Sequence, residues 1–234
     1  MPSIAQTAAY TNTGSASSYN TGSQSIGAAD SNRTIFALIA SRGGASSVSS
    51  VTIGGVTASL VAASGAGVNA VASIYKIQAS QLGDPQATTA TVVVNFNAAV
   101  TRGVAIILAV TYDSIVAGAT ATAQDTVQDT AQEIVDVSLN VPANGFVIGV
   151  GCAYSEASGC TWTGITGGTE YQVSPTSAET YVVPGYLSNA AAASPLSVTF
   201  STPVVAIGDV GSTTATAASF GPAATPRFRA KIIC

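Results

Sequence analysis

The chain is predicted to be all-β, an antiparallel β-sandwich of jelly-roll or immunoglobulin-like kind. Three observations predict it. Apolar and polar residues alternate with a period of two, as in Thr91-Val92-Val93-Val94-Asn95-Phe96-Asn97 and Leu196-Ser197-Val198-Thr199-Phe200-Ser201, which turns one face of each strand to a core and the other to solvent. Gly, Asn, Asp, Pro and Ser breaks separate these segments at the spacing of a sandwich. No segment carries the apolar stripe of a helix.

In chain order, the turn Ala29-Asp30-Ser31-Asn32-Arg33 leads into the apolar strand Thr34–Ala40. Ser49–Ile53 and Thr57–Ala62 flank a Gly54-Gly55 break. Gly65-Ala66-Gly67 precedes Val71–Ile77; no helix start follows it, so it reads as a hairpin turn and not as a phosphate loop. Gly83-Asp84-Pro85 separates that strand from Thr91–Asn97. Val104–Tyr112 closes the first run, and its apolar core Val104–Val110 is strand length, far short of the ~20 residues of a membrane-spanning helix. Ile134–Val141, the turn Pro142-Ala143-Asn144-Gly145, Phe146–Tyr154, Tyr181–Leu187, Leu196–Ser201 and Thr213–Phe220 form a second run.

The two runs echo each other. Ile53-Gly54-Gly55-Val56-Thr57 recurs as Ile165-Thr166-Gly167-Gly168-Thr169, and Phe36, Tyr75, Phe96 and Tyr112 recur as Phe146, Tyr186, Phe200 and Phe220. The offsets are 112, 110, 111, 104 and 108 residues, and their constancy and order predict two related units of about 100 residues. The expected organisation is an N-terminal arm (1–13), a first unit (14–116), a connection rich in Ala, Thr, Gln and Asp (117–132), a second unit (133–221) and a basic C-terminal arm (222–234).

Only seven Lys and Arg and eleven Asp and Glu occur in 234 residues, with no His, so 8% of the chain is charged against roughly a quarter in an ordinary soluble domain. Acid/base catalysis, nucleophile activation and metal binding draw on the residue types that are scarce here. The expectation is a protein that is not an enzyme and has no cofactor. A net charge of −4 also speaks against nucleic acid, whose phosphates require clustered Lys and Arg. The hydrophobic 47% excludes a disordered chain, yet it is mostly Ala and Val, so burial between subunits would supplement a small-residue core. The first residues, Met1-Pro2-Ser3-Ile4-Ala5-Gln6, lack the basic and apolar regions of a secretory signal, and synthesis in the cytoplasm is expected.

The motifs read mostly as structure. Asp125, Asp129, Glu133 and Asp136 form the one acidic concentration; without the alternating oxygen ligands and central Gly of a calcium loop it reads as a solvated linker. Asp30 and Arg33 could pair to fix their turn. Cys152 and Cys160 could close a small loop, with Cys234 left over, but three cysteines are too few for a disulfide framework and free thiols are expected. A serine nucleophile would need Lys76 or Lys231 as base, and neither stands in a recognisable motif. Trp162, with Tyr154 and Tyr171 nearby, suits either the core of the second unit or a sugar-stacking platform. Arg227, Arg229 and Lys231 make the C-terminus basic and suit an arm docking on an acidic neighbour.

Gly14-Ser15-Ala16-Ser17-Ser18-Tyr19, Ser25-Ile26-Gly27-Ala28-Ala29-Asp30-Ser31-Asn32-Arg33 and Ser50-Val51-Thr52-Ile53-Gly54-Gly55-Val56-Thr57-Ala58 resemble a class of accessory structural proteins of tailed bacteriophages. In that class a Gly-Ala-Ala-Asp turn leads through Arg into an apolar strand and a Val-Thr-Ile-Gly-Gly hairpin follows. The similarity extends to Pro142-Ala143-Asn144-Gly145 and Cys160-Thr161-Trp162-Thr163-Gly164. The resemblance implies a virion component and brings no catalytic residues. The expected protein is a head decoration or spike protein, made in the bacterial cytoplasm and located in the virion. It would form a homo-oligomer, a trimer, and attach to other virion proteins such as the major capsid protein through Arg227, Arg229 and Lys231, with no nucleic-acid or membrane partner. The alternative is a carbohydrate- or host-surface-binding module of a tail or fibre, with Trp162, Tyr154 and Tyr171 as the contact.

Overall fold

The computed structural model describes residues 2–43, 47–64, 70–112, 118–127, 134–155, 158–173, 179–190, 193–203 and 210–222. Strands β1 (Ser3–Asn12), β2 (Ala16–Ser25), β3 (Arg33–Arg42), β4 (Val48–Ile53), β5 (Val56–Thr57), β6 (Ser59–Ala63) and β7 (Ala70–Gln78) lead to a 3-10 turn (Ala79–Gln81), then β8 (Thr89–Val100) and β9 (Arg102–Thr111). There follow β10 (Ala121–Val127), β11 (Ile134–Asp136), β12 (Leu139–Val141), β13 (Gly145–Ser155), β14 (Thr161–Thr163), β15 (Thr166–Gly167) and β16 (Tyr171–Val173). The last four are β17 (Glu179–Ala190), β18 (Ala193–Leu196), β19 (Thr199–Ser201) and β20 (Val210–Phe220). The described residues contain no α-helix, and the strand pairs are antiparallel, so the all-β, sandwich-like expectation holds.

The sheets stack in layers because their central strands are apolar on both faces. Every residue from Arg33 to Ser41 on β3 is buried. Ile35, Ala37 and Ile39 point into one core, Phe36, Leu38 and Ala40 into another. The first core lies between the five-stranded sheet β1-β9-β3-β7-β6 and the four-stranded sheet β2-β8-β4-β5. The second joins that five-stranded sheet to the six-stranded sheet of β10-β20-β13-β17-β15, in which β16 also pairs with β17. The third covers the far face of the six-stranded sheet with β11-β19-β14 and β12-β18.

Phe36, Phe146 and Phe220 meet in the middle core: Phe146 stacks on Phe220 at 4.8 Å between centroids, and Phe36 meets Phe220 edge-on at 5.2 Å. Further along the same interface the Arg42 guanidinium lies 3.6 Å above the Tyr154 ring. The third core is built around a hollow. A Cβ on Gly151 would stand 2.5 Å from the Phe200 ring, and one on Gly185 2.9 Å from the Trp162 indole, so glycine inside these strands admits the two large rings.

Several boundaries differ from the expectation, each for a local reason. Ser3–Asn12, expected as an arm, is the edge strand β1, paired from Ser3↔Thr111 to Asn12↔Gly103. A bulge between Gln6 and Ala8 puts Ile4 and Ala9 on one core and Ala8 and Tyr10 on the other, which breaks the alternation that would have betrayed a strand. Ala121–Val127, expected within a connection, is the edge strand β10 on β20. Ala16–Ser25 forms β2 despite its polar sequence, with two register breaks. The expected strands Ile134–Val141 and Leu196–Ser201 are each interrupted: Ser138 leaves the ladder and its Oγ accepts the Val198 N–H at 3.1 Å. The Gly-Gly echo shifts as well. Gly54 and Gly55 turn the first hairpin with φ of 58° and 80°, but its counterpart turns at Gly164, φ 88°, while Gly167 lies in β15. Leu108, and not Tyr112, stands opposite Phe36 as Phe220 stands opposite Phe146. Gly65–Gly67 and residues 223–234 lie outside the described residues.

Phe36→Ala should lower stability by about 3–5 kcal/mol, the cost of truncating a buried Phe. The middle core also makes a prediction about cooperativity. Trp162 fluorescence, which reports the opposite outer layer, should lose its transition midpoint by the same amount as far-ultraviolet circular dichroism in a urea titration. A Trp162 transition left in place by this substitution would contradict the shared core.

Candidate interaction surface

The two outermost faces of the stack are where the scarcity of charge becomes geometry. On the four-stranded sheet, inward Tyr19, Val51, Val92 and Val94 alternate with outward polar residues. Register aligns Ser18, Asn95 and Ser50 in one row and Asn20, Val93 and Thr52 in the next. Ser18 Oγ donates to Asn95 Oδ1 at 2.7 Å, and Asn95 Nδ2 donates to Ser50 Oγ at 3.0 Å. At the opposite end, Ile134, Ser201 and Thr161 form one row and Asp136, Thr199 and Thr163 another. Thr161 and Ser201 hydroxyls are hydrogen-bonded at 3.2 Å, and Ile134 is 55% exposed. Both faces carry mainly short side chains, some already hydrogen-bonded to a cross-strand neighbour. Covering them costs little rotamer entropy compared with Lys or Glu and desolvates few charges.

The residues singled out for ligand stacking do not share a platform. Trp162 is 8% exposed, tilts against Phe200 at 5.1 Å and donates its indole N–H to Val183 O at 3.0 Å; it is a core residue. Tyr154 lies beneath Arg42 in the middle core interface. Tyr171 accepts a hydrogen bond from the Gln6 amide of β1. Arg227, Arg229 and Lys231 lie outside the described residues.

Cys152 and Cys160 are buried free thiols. They face different cores, Cys152 the middle and Cys160 the outer, so the sheet backbone separates them and the small loop they could have closed does not form. Of the acidic concentration, Asp125 sits on β10 and Asp136 on β11, where the Asp136 N–H meets Asp125 Oδ2 at 3.4 Å. Hydrogen bonds from Ser138 hold the Asp136 carboxyl below its usual range. Asp129 and Glu133 lie outside the described residues.

Arg33 has a larger role than its place in a turn suggested. Fully buried, it donates through Nη1 to Gly27 O and Ala28 O at 2.7 and 2.6 Å, and through Nη2 to Ala87 O at 2.6 Å. Burial lowers its pKa, and the nearby Asp30 opposes that shift. Asp30 itself accepts the Asn32 N–H at 2.7 Å, so the turn is fixed by Asp30 from within, while Arg33 ties the segment that follows β2 to the loop before β8. The only sequence trace of this is an Arg opening an apolar strand.

Comparison with known protein families, curated proteins and solved structures finds no match to this chain.

Burial pushes the Cys152 thiol up to about 12 from 9.0, and Cys160 and Tyr19 are raised in the same sense. A thiol that stays protonated in the folded state contributes stability fully present below the unfolded pKa and lost above it. Unfolding free energy should therefore be flat up to about pH 9 and fall between pH 9 and 12, by about 1.4 kcal/mol per pH unit for each thiol. Guanidinium titrations at pH 8, 9.5 and 10.5 check this, and Cys152→Ala should make the fall shallower.

Proposed function

We propose that the chain is a non-enzymatic structural component of a tailed-phage virion, a head decoration or spike protein that self-associates as a trimer and attaches to the capsid. The observation that carries this reading is the pair of low-charge outer faces, one with the hydrogen-bonded row Ser18-Asn95-Ser50 and the other with a bonded Thr161–Ser201 pair beside exposed Ile134. Such faces favour burial against a copy or a shell, since little ionic hydration is lost. The resemblance of the Gly14–Arg33 and Ser50–Ala58 runs to accessory virion proteins points the same way. The basic residues Arg227, Arg229 and Lys231 are assigned to the capsid contact, and the mature location is the virion.

The fold type belongs to the same reading. With β5 and β6 counted as one strand, β1–β9 order as 1-8-3-6-5 against 2-7-4-5, the fifth strand pairing in both sheets. With β11 and β12, β15 and β16, and β18 and β19 counted likewise, β10–β20 order as 1-8-3-6-5 against 2-7-4, the fifth strand standing beside the sixth instead of the fourth. These orders support two jelly-roll units rather than immunoglobulin-like ones. The first unit would then include the N-terminal strand β1, and the second the strand β10 of the former connection. The alternative, a carbohydrate- or host-surface-binding module of a tail or fibre with Trp162, Tyr154 and Tyr171 as the contact, loses support from the burial of Trp162.

Sedimentation should give a mass of three 23.0 kDa chains, and imaging of purified particles should place many copies over the head. A few copies at the tail would give the tail-associated variant, and absence from the particle would remove the reading. Asn95→Lys and Thr161→Lys place a charge on either outer face; stability should fall by about 1–2 kcal/mol at half-buried Asn95, which loses two hydrogen bonds, and change by about 0.5 kcal/mol or less at exposed Thr161. At least one of them should abolish trimer formation or particle binding.

A further inference from the structure

A sheet edge presents unpaired N–H and C=O groups, so it is where a layered β protein can take on another strand. Among the described residues most edges of the three larger sheets are interrupted or short. β1, β2 and β6 carry register shifts, and β5, β15 and β16 have two or three residues each. β10 differs. It ends the six-stranded sheet, has seven residues and keeps one register from Ala121↔Ser219 to Val127↔Thr213. Ala123 O and Asp125 O accept the Thr216 and Thr214 hydroxyls of β20 at 3.2 and 3.1 Å. The backbone groups of Thr122, Gln124 and Thr126 therefore point away from β20, along the outer edge, where the Thr126 N–H is capped by Asp125 Oδ1 at 2.8 Å.

The two sides of this edge differ in chemistry. Ala121 and Ala123 lie against the third core, and Asp125 shares their face; it is exposed, as is Asp136 on β11 beside it. Thr122 and Gln124 face the other way, to the rim of the middle core, where β6 packs alongside β10 and Val61 and Ala119 are half-buried. One segment of the chain has the complementary pattern. In Arg227-Phe228-Arg229-Ala230-Lys231-Ile232 cations and apolar residues alternate, the period of a strand with one basic and one apolar face.

We infer that this segment of a neighbouring copy adds to the edge of β10 as a further antiparallel strand. Arg227, Arg229 and Lys231 then lie on the side of Asp125 and Asp136, and Phe228, Ala230 and Ile232 cover the rim at Val61 and Ala119. A slip of one residue would turn the cations onto the apolar rim, so charge fixes the register. Reach selects a neighbour as the donor. β20 ends beside the first residue of β10, and the chain from Pro222 to Arg227 spans at most about 17 Å, less than the roughly 20 Å length of β10. A chain's own segment thus cannot start at Val127 and pair antiparallel along the whole strand. The inference rests on the self-association proposed above and gives it a seam, each copy lending a strand to the next until the ring closes. Three cations beside two carboxylates leave the seam net positive, so the capsid contact of the same side chains is retained.

The test places p-benzoylphenylalanine at position 228 of the full-length protein, irradiates it under reducing conditions and maps the adduct by mass spectrometry. The adduct should join residue 228 to β10, β6 or Ala119 in a band of two or more chains. Ala230→Pro removes a ladder donor and Asp125→Lys a carboxylate. Each should raise the concentration at which the trimer half-dissociates about tenfold in sedimentation, with far-ultraviolet circular dichroism unchanged, and Arg229→Glu should restore association to Asp125→Lys. A trimer that neither variant weakens, or an adduct elsewhere on the molecule, would overturn this inference alone and leave self-association standing. An adduct to β10 within a single chain would overturn the neighbouring donor. A wild type that is monomeric at every concentration would overturn self-association, and the seam with it.

Discussion

The contact of Phe36 with Phe146 and Phe220 is the constraint from which the rest of this structure follows. It requires the five-stranded and six-stranded sheets to be buried on both faces, so β3, β9 and β13 carry continuous apolar runs rather than alternating ones. Most charged residues are displaced to edges and turns, while the inner strands β7, β17 and β20 keep buried hydroxyls such as Ser73, Thr180, Thr213 and Thr216. Small residues answer the same demand. Layers only about 10 Å apart leave room for a Phe or Trp only where the facing strand offers Ala or Gly, as Gly151 does for Phe200 and Gly185 for Trp162.

The scarcity of charge then has a positive structural meaning. With three cores to fill and two thin faces left to solvent, the chain places Ser, Thr and Asn where most proteins place Lys and Glu. Edges are managed differently as well. β1 and β2 carry register breaks instead of charges, and a bulged edge resists open-ended strand addition while leaving the flat faces free to associate. Arg33 and Lys76 are the charged residues among the described buried groups, the one tied to three carbonyls and the other with its ammonium over the Phe220 ring.

Legibility in the sequence followed burial. The strands around Leu38, Val94, Ile106, Ile148 and Phe200 were readable because apolar period or apolar run is a direct imprint of a core. β1, β2 and β10 were not, since an edge strand is held by backbone hydrogen bonds that leave no side-chain pattern, and the bulge in β1 scrambles what little there is. The echo between the two runs was readable in its spacing, but the partner of Phe220 was mistaken for Tyr112 because aromatic identity was followed where cross-strand register assigns Leu108. The outer faces were foreshadowed by composition alone. The place of Trp162 between Thr161 and Thr163 suits a core and a stacking platform alike, and only its burial against Phe200 decides for the core.

The dependence of both halves on the middle core is tested most directly by sedimentation of residues 1–116 expressed alone. That piece would present Phe36, Leu38, Ile74, Ile106 and Leu108 to water on one sheet face, an apolar patch that isolated domains do not sustain. The account predicts a self-associated or aggregated species that becomes soluble and defined when residues 117–234 are supplied. A monodisperse monomer of residues 1–116, folded and indifferent to the other half, would contradict it.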